Sequence, residues 1–114
     1  MNERRGDDKL DAASDATIVE RIFALARAIP AGRVLSYGAL GASCSPPISG
    51  YICGRIMNNV GDDVPWWRVV AKDGALPIAK RNPVLAQRQR ALLEAEGVEF
   101  DEAGRVRMDT FGDG

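Results

Sequence analysis

The chain has 114 residues, 46% of them hydrophobic, with 15 Lys and Arg against 16 Asp and Glu. That suits one domain with one modest core, and the net charge of −1 does not by itself point to nucleic acid. There is no histidine, which excludes Ser–His and Cys–His nucleophile pairs, a histidine general base and histidine-containing metal sites.

Residues 1–15 (MNERRGDDKLDAASD) are polar and aperiodic and carry five acids against three bases. They read as a flexible arm preceding a domain over residues 16–112, whose charge from Ala16 to Gly112 is mildly basic, twelve Lys and Arg against ten Asp and Glu. A helix is expected from about Thr17, where Thr17 and Glu20 have capping-box spacing and Ile18, Ile22, Leu25 and Ile29 recur at three- and four-residue steps. Pro30 stops it.

Ser36 is placed to cap a short second helix, from Tyr37 to about Ala42. "CSPPISG" reads as a loop, and Ser49 as the cap of a third helix from Gly50 to roughly Asn58, with Ile52, Cys53, Ile56 and Met57 as its inner side. "WRVVA" and "ALPIA" read as two strands of a hairpin turning at "KDG". Asn82 caps a helix with Pro83 at its first position, its apolar side drawn from Val84, Leu85, Ala91, Leu92 and Leu93, and Gly97 ends it. "VEF" and "RVRM" form a last small hairpin. The expected fold is mainly α with small β-ribbons, with the outline of a winged helix-turn-helix.

Cys44 and Cys53 stand nine residues apart and make a poor zinc site, so neither metal nor cofactor is expected. No apolar run approaches the length of a membrane span and no signal peptide is evident, so the pattern reads as a reduced, cytoplasmic, monomeric protein without a membrane partner.

"IPAGRVLSYGAL", the helix containing "ICG", "VPWWRVV" and "ALLEAEGVEFDEAGRV" together resemble the DNA-binding domain of O6-alkylguanine-DNA alkyltransferases, from about Ile18 to about Phe111. The resemblance implies an alkyltransferase C-terminal-domain fold. In that family a "PCHRV" motif holds the acceptor cysteine. Here Trp66 stands at the cysteine and Trp67 at the histidine that activates it, as in the alkyltransferase-like branch, which usually reads "PWHRV". That branch binds O6-alkylguanine in double-stranded DNA, flips the base and holds it unrepaired, and the lesion passes to nucleotide excision repair proteins. The chain is therefore expected to be no enzyme and to have no catalytic residue, since indole carbon cannot accept an alkyl group from a neutral guanine ether.

The same resemblance assigns the DNA- and lesion-binding residues. Tyr37 matches the tyrosine that contacts the phosphate of the flipped nucleotide. The third helix, capped by Ser49, approaches DNA, and Tyr51 takes the position of the arginine that fills the gap left by the flipped base. Arg55, one turn further on, either supplements Tyr51 or, in another register, is itself the finger. Gly50 and Gly54 allow a close approach to DNA or to a packing partner. Pro65 shapes the pocket rim, and Trp66 is its wall or plain core filling, with Trp67 assigned to core packing. Arg68 anchors the strand internally or reaches a phosphate. The turn from Lys72 through Gly74 to Ala75 matches the loop that closes over the base, or is an ordinary exposed hairpin. Two further readings stay open: the same fold with lesion recognition lost or altered, acting as a general DNA-binding or protein-interaction module, and an enzyme transferring alkyl groups to Cys44 or Cys53.

Overall fold

The computed structural model describes residues 17–58 and 60–112. The arm expected over residues 1–15 lies outside them. The first helix, α1, is described over residues 17–27. Thr17, the first described residue, lies within α1. Strand β1 (Leu35–Ser36) leads into α2 (Tyr37–Ala42), followed by α3 (Gly50–Met57), β2 (Val69–Val70), α4 (Pro83–Ala95) and α5 (Met108–Phe111). Short 3-10 turns cover Trp66–Arg68 and Pro77–Lys80.

Three helices start where short-range chemistry dictates. Ser36 Oγ accepts from Ala39 N–H at 3.0 Å, Ser49 Oγ from Ile52 N–H at 3.2 Å, and Asn82 Oδ1 from Leu85 N–H at 3.0 Å. Gly97, at φ +92, follows the end of α4. α2 and α3 form a tight pair. A Cβ on Gly50 would sit 3.0 Å from Gly38 N, and one on Gly41 would sit 2.4 Å from Ile48 O.

The expected hairpin of "WRVVA" with "ALPIA" does not form. β2 instead pairs in parallel with β1, Leu35 opposite Val69 and Ser36 opposite Val70. Both valines are fully buried, which suits a parallel pair covered on both faces. "ALPIA" cannot pair as a strand because Pro77 lacks an N–H and opens a 3-10 turn. Only the reversal survives: Ala71 N–H donates to Ala75 O at 3.0 Å, and Gly74 N–H to Ala71 O at 2.9 Å. The last hairpin does form, as an antiparallel bridge between Phe100 and Val106.

Alternation along β2 divides the interior. Val69 joins Ile22, Ala26, Leu40, Cys53 and Met57 in one cluster, and Val70 joins Val34, Leu93, Val98 and Val106 in a second. The tandem tryptophans divide in the same way, Trp66 packing on the first cluster and Trp67 on the second. Their rings meet edge to face at 6.0 Å and 86°.

Two expected apolar faces are shifted. On α3, Cys53 and Met57 are buried, but Ile52 is 44% exposed. On α4 the inward residues are Ala86, Gln89 and Leu93, at three- and four-residue spacing, while Val84 is 75% exposed and Ala91 is also exposed.

Candidate nucleic-acid interface and lesion cavity

A cavity of about 240 Å³ opens between α2, the end of α3 and α4. Tyr37 enters it from the start of α2, and Met57 and Asn58 from the end of α3. Val60, Asp62 and Trp66 come from the connection to β2, Ile78 from the second 3-10 turn, and Leu85, Arg88 and Gln89 from α4. It is smaller than the roughly 300–1,000 Å³ of drug-binding clefts and matches the scale of a single nucleobase.

Pro65 sets the approach to the Trp66 wall. At φ −73 and ψ 68 it forms an inverse γ-turn, with Trp66 N–H donating to Val64 O at 2.6 Å. The indole Nε1–H of Trp66 donates to Asp62 Oδ1 at 3.0 Å, and Arg88 holds the other oxygen of the same carboxylate. These hydrogen bonds, Trp66's first and Arg88's second, keep Asp62 below the ordinary aspartate range. Burial, with the Cys53 thiol next in weight, raises the Tyr37 hydroxyl above its usual value, with Arg81 opposing, so Tyr37 is a neutral phenol at physiological pH.

Of the residues expected at the site, Tyr37 and Trp66 line the cavity. On α3, Tyr51 is 72% exposed and the exposed Arg55 has its guanidinium 6.0 Å from the Tyr51 ring, one turn along the same face. Ser49 caps that helix. Gly50 is small because α2 packs against it, and Gly54 faces the Tyr37 ring at 3.9 Å.

Of the two places expected for Arg68, it takes the internal one. Its Nε and Nη2 bind Glu96, Nη2 at 2.7 Å, and its Nη1 donates to Ile29 O at 2.8 Å. Neither Lys72 nor Gly74 lines the cavity. The turn is tied instead to the C-terminal ribbon: Val106 N–H donates to Gly74 O at 2.9 Å, and Asp73 pairs with Arg105 at 3.7 Å. Gly74 has φ +87, and a Cβ there would meet Val106 O at 2.3 Å, so it is glycine for packing. The part of this segment that does reach the cavity is Ile78, further along.

Sequence reasoning missed most of the wall. Asn58, whose Oδ1 accepts from Arg81 at 2.7 Å, Asp62, Arg88 and Gln89 carried no motif. A signal for Gln89 was its position between Ala86 and Leu93 on one helix face.

Residues 17–98 match the family model described as the 6-O-methylguanine DNA methyltransferase DNA-binding domain. The chain belongs to this family. Among its relatives, the DNA base-flipping protein of Vibrio parahaemolyticus is 32% identical over 90 residues, covering 77% of this chain and 87% of the relative. The DNA base-flipping protein of Escherichia coli is 31% identical over 94 residues, covering 81% of this chain and 70% of the relative. In structure, the chain is similar to S. pombe Atl1 in complex with damaged DNA containing O6-carboxymethylguanine, with a TM-score of 0.71, 26% identity and coverage of 85% of this chain and 94% of Atl1. A second S. pombe ATL structure, in complex with DNA, shares the fold with a TM-score of 0.67 and 24% identity, over 80% and 87% of the two chains.

In this member of the methyltransferase DNA-binding family, Trp67 donates from Nε1 to Glu96 Oε2 at 3.0 Å. Glu96 also accepts from Gly32 N–H at 3.0 Å. Burial pushes the Glu96 carboxyl up, but the hydrogen bonds from Arg68, Gly32 and Trp67 outweigh it, and the net shift is downward from 4.5. A carboxyl lowered in the folded state protonates first in the unfolded chain. Its contribution is therefore complete above about pH 4.5 and is lost as pH falls through the folded value. Asp62 and Asp101 shift in the same direction. Thermal melts taken from about pH 5 down to about pH 3 should show a steep fall in the wild type and a flatter one in Glu96→Gln. Equal slopes would remove Glu96 as a source of acid sensitivity.

No helix among the described residues is long and apolar enough to cross a membrane.

Proposed function

We propose that residues 16–112 form a non-enzymatic DNA-damage recognition domain that binds duplex DNA carrying O6-alkylguanine, takes the extruded base into the cavity beside Trp66, and holds it unrepaired. The observation that carries this reading is a base-sized cavity, walled by Tyr37 and Trp66, next to a helix that presents an exposed aromatic wedge, Tyr51. Extruding a base costs a few kcal/mol. A wedge stacked in the gap and an indole stacked on the extruded ring each return about 1–3 kcal/mol, so the exchange is feasible. The relatives named for base flipping and the Atl1 complex with O6-carboxymethylguanine DNA support the same reading.

Alkyl transfer would need a thiolate. Cys44 and Cys53 are both buried, neither lines the cavity, and burial with the neighbouring Cys44 pushes the Cys53 thiol up to about 11. By the family resemblance Trp66 occupies the acceptor's place, and the chain has no histidine to activate a thiol. A lesion held without repair must be removed by other proteins, and nucleotide excision repair in the cytoplasm is the route this reading assigns.

A titration against matched duplexes with and without one O6-methylguanine tests it. The damaged duplex should bind more tightly, both affinities should fall with salt, and mass spectrometry after incubation should show no gain of a methyl group. Equal affinity for the two duplexes would end the reading.

Tyr51→Ala should leave thermal stability within about 0.5 kcal/mol, because the side chain is 72% exposed. The same variant should weaken lesion binding about tenfold, the lower part of the range for base stacking. Fluorescence anisotropy beside a thermal melt separates the two effects.

A further inference from the structure

The apolar face of α3 is wider than the core beneath it. Cys53 and Met57 are buried, while Ile52 is exposed and Ile56 only half-buried. Ile52, Arg55 and Ile56 form one wall of a groove of about 430 Å³, and Val19 and Phe23 of α1, one turn apart, form the other. The groove shares no residue with the lesion cavity. Arg55 is the charged member of its lining, and among the described residues no carboxylate pairs with it. Such a lining suits an occupant that is apolar at its centre and acidic at its edges. The chain carries one immediately before α1. Between Asp7 and Asp15 stand four aspartates (Asp7, Asp8, Asp11, Asp15), with Lys9 as the one base and Leu10 as the one large apolar side chain. Leu10 is seven residues before Thr17, a span of up to about 25 Å when extended. Val19 is two residues beyond Thr17, so the chain enters α1 at one end of the groove. To fill it, the segment needs only to double back along the first turns of α1.

We propose that residues 7–15 are the occupant of this groove: Leu10 seats among Val19, Phe23, Ile52 and Ile56, and the aspartates beside it pair with Arg55. Seated there, the segment covers the face of α3 that carries Tyr51 and Arg55, and it competes with DNA for that face. Tethering supplies an effective concentration on the order of millimolar, so a weak contact suffices. A segment that covers the face about nine-tenths of the time lowers the apparent affinity for DNA about tenfold. The factor is the same for damaged and undamaged duplex, since both must displace the segment. The DNA-facing role of α3 comes from the lesion-binding reading, and the competition rests on it.

Leu10→Ser in the full chain tests the seat without changing the charge, so general repulsion between an acidic segment and DNA is held constant. In the wild type, NOEs should connect the Leu10 methyls to those of Ile52 or Ile56, and excess undamaged duplex should erase them. Leu10→Ser should bind two otherwise identical duplexes, with guanine or O6-methylguanine at one position, up to about tenfold more tightly than the wild type, each by the same factor. Absence of the NOEs, or equal affinity of Leu10→Ser and wild type for both duplexes, would overturn the proposal. Groove methyl signals that move with protein concentration and not with Leu10→Ser would make a second copy the occupant and overturn it as well. All three outcomes leave the lesion reading intact. Failure of the wild type to prefer O6-methylguanine over guanine would overturn that reading, while the NOEs and the affinity gain of Leu10→Ser would still measure the seat.

Discussion

Glu96→Ala should destabilise the domain by about 3–5 kcal/mol, the cost of breaking a buried ion pair by removing one partner. Glu96 and Arg68 side chains are only 15% and 16% exposed. The guanidinium cannot lose its charge, so without the carboxylate it stays buried with Ile29 O as its described acceptor. The same substitution strips the acceptor from Trp67 Nε1 and from Gly32 N–H. Glu96 thus joins the end of α4 to the turn after α1 and to the 3-10 turn before β2. Against a typical total stability of about 5–15 kcal/mol, the loss should lower Tm by about 15–30 °C, measured by circular dichroism. Replacing both charges, as Arg68→Met with Glu96→Leu, should recover much of it, because a well-packed apolar pair avoids the desolvation cost. A drop below about 1 kcal/mol in Glu96→Ala would show that the network does not hold these segments together.

That network also marks the limit of what the sequence discloses. Ser36, Ser49 and Asn82 act within three residues of themselves, so their caps can be read from the letters alone. β2 finds its partner 34 residues earlier, at Leu35, and nothing local to "WRVV" distinguishes that parallel pairing from a hairpin. Arg68 reads equally as a strand anchor or a phosphate ligand until Glu96, 28 residues away, is seen beside it. Lys72 and Gly74 follow a motif by spacing, yet their turn belongs to the C-terminal ribbon. Gln89 is absent from the apolar side expected of its helix because its side chain is polar, and only the packing of α4 shows it buried. Tyr37 and Trp66 were legible through the family resemblance, which carries the three-dimensional information that composition and periodicity lack.

Trp66→Ala should abolish most of the preference for damaged over undamaged duplex, a loss of up to about 100-fold at the upper end of what one stacked base contributes. The indole is both a wall of the cavity and the group that Asp62 and Arg88 hold in place. Removing it widens the cavity and takes away the flat surface against which an extruded ring would lie. Binding to undamaged DNA depends on phosphate contacts outside the cavity and should change little. Trp66→Phe separates the two properties of the side chain: it keeps an aromatic face and loses the N–H to Asp62, so most of the lesion preference should survive. Because Trp66 also packs on the first core cluster, each variant is titrated well below its own melting temperature. If Trp66→Ala retained the full preference while folded, the cavity beside the indole would not be where the damaged base is read.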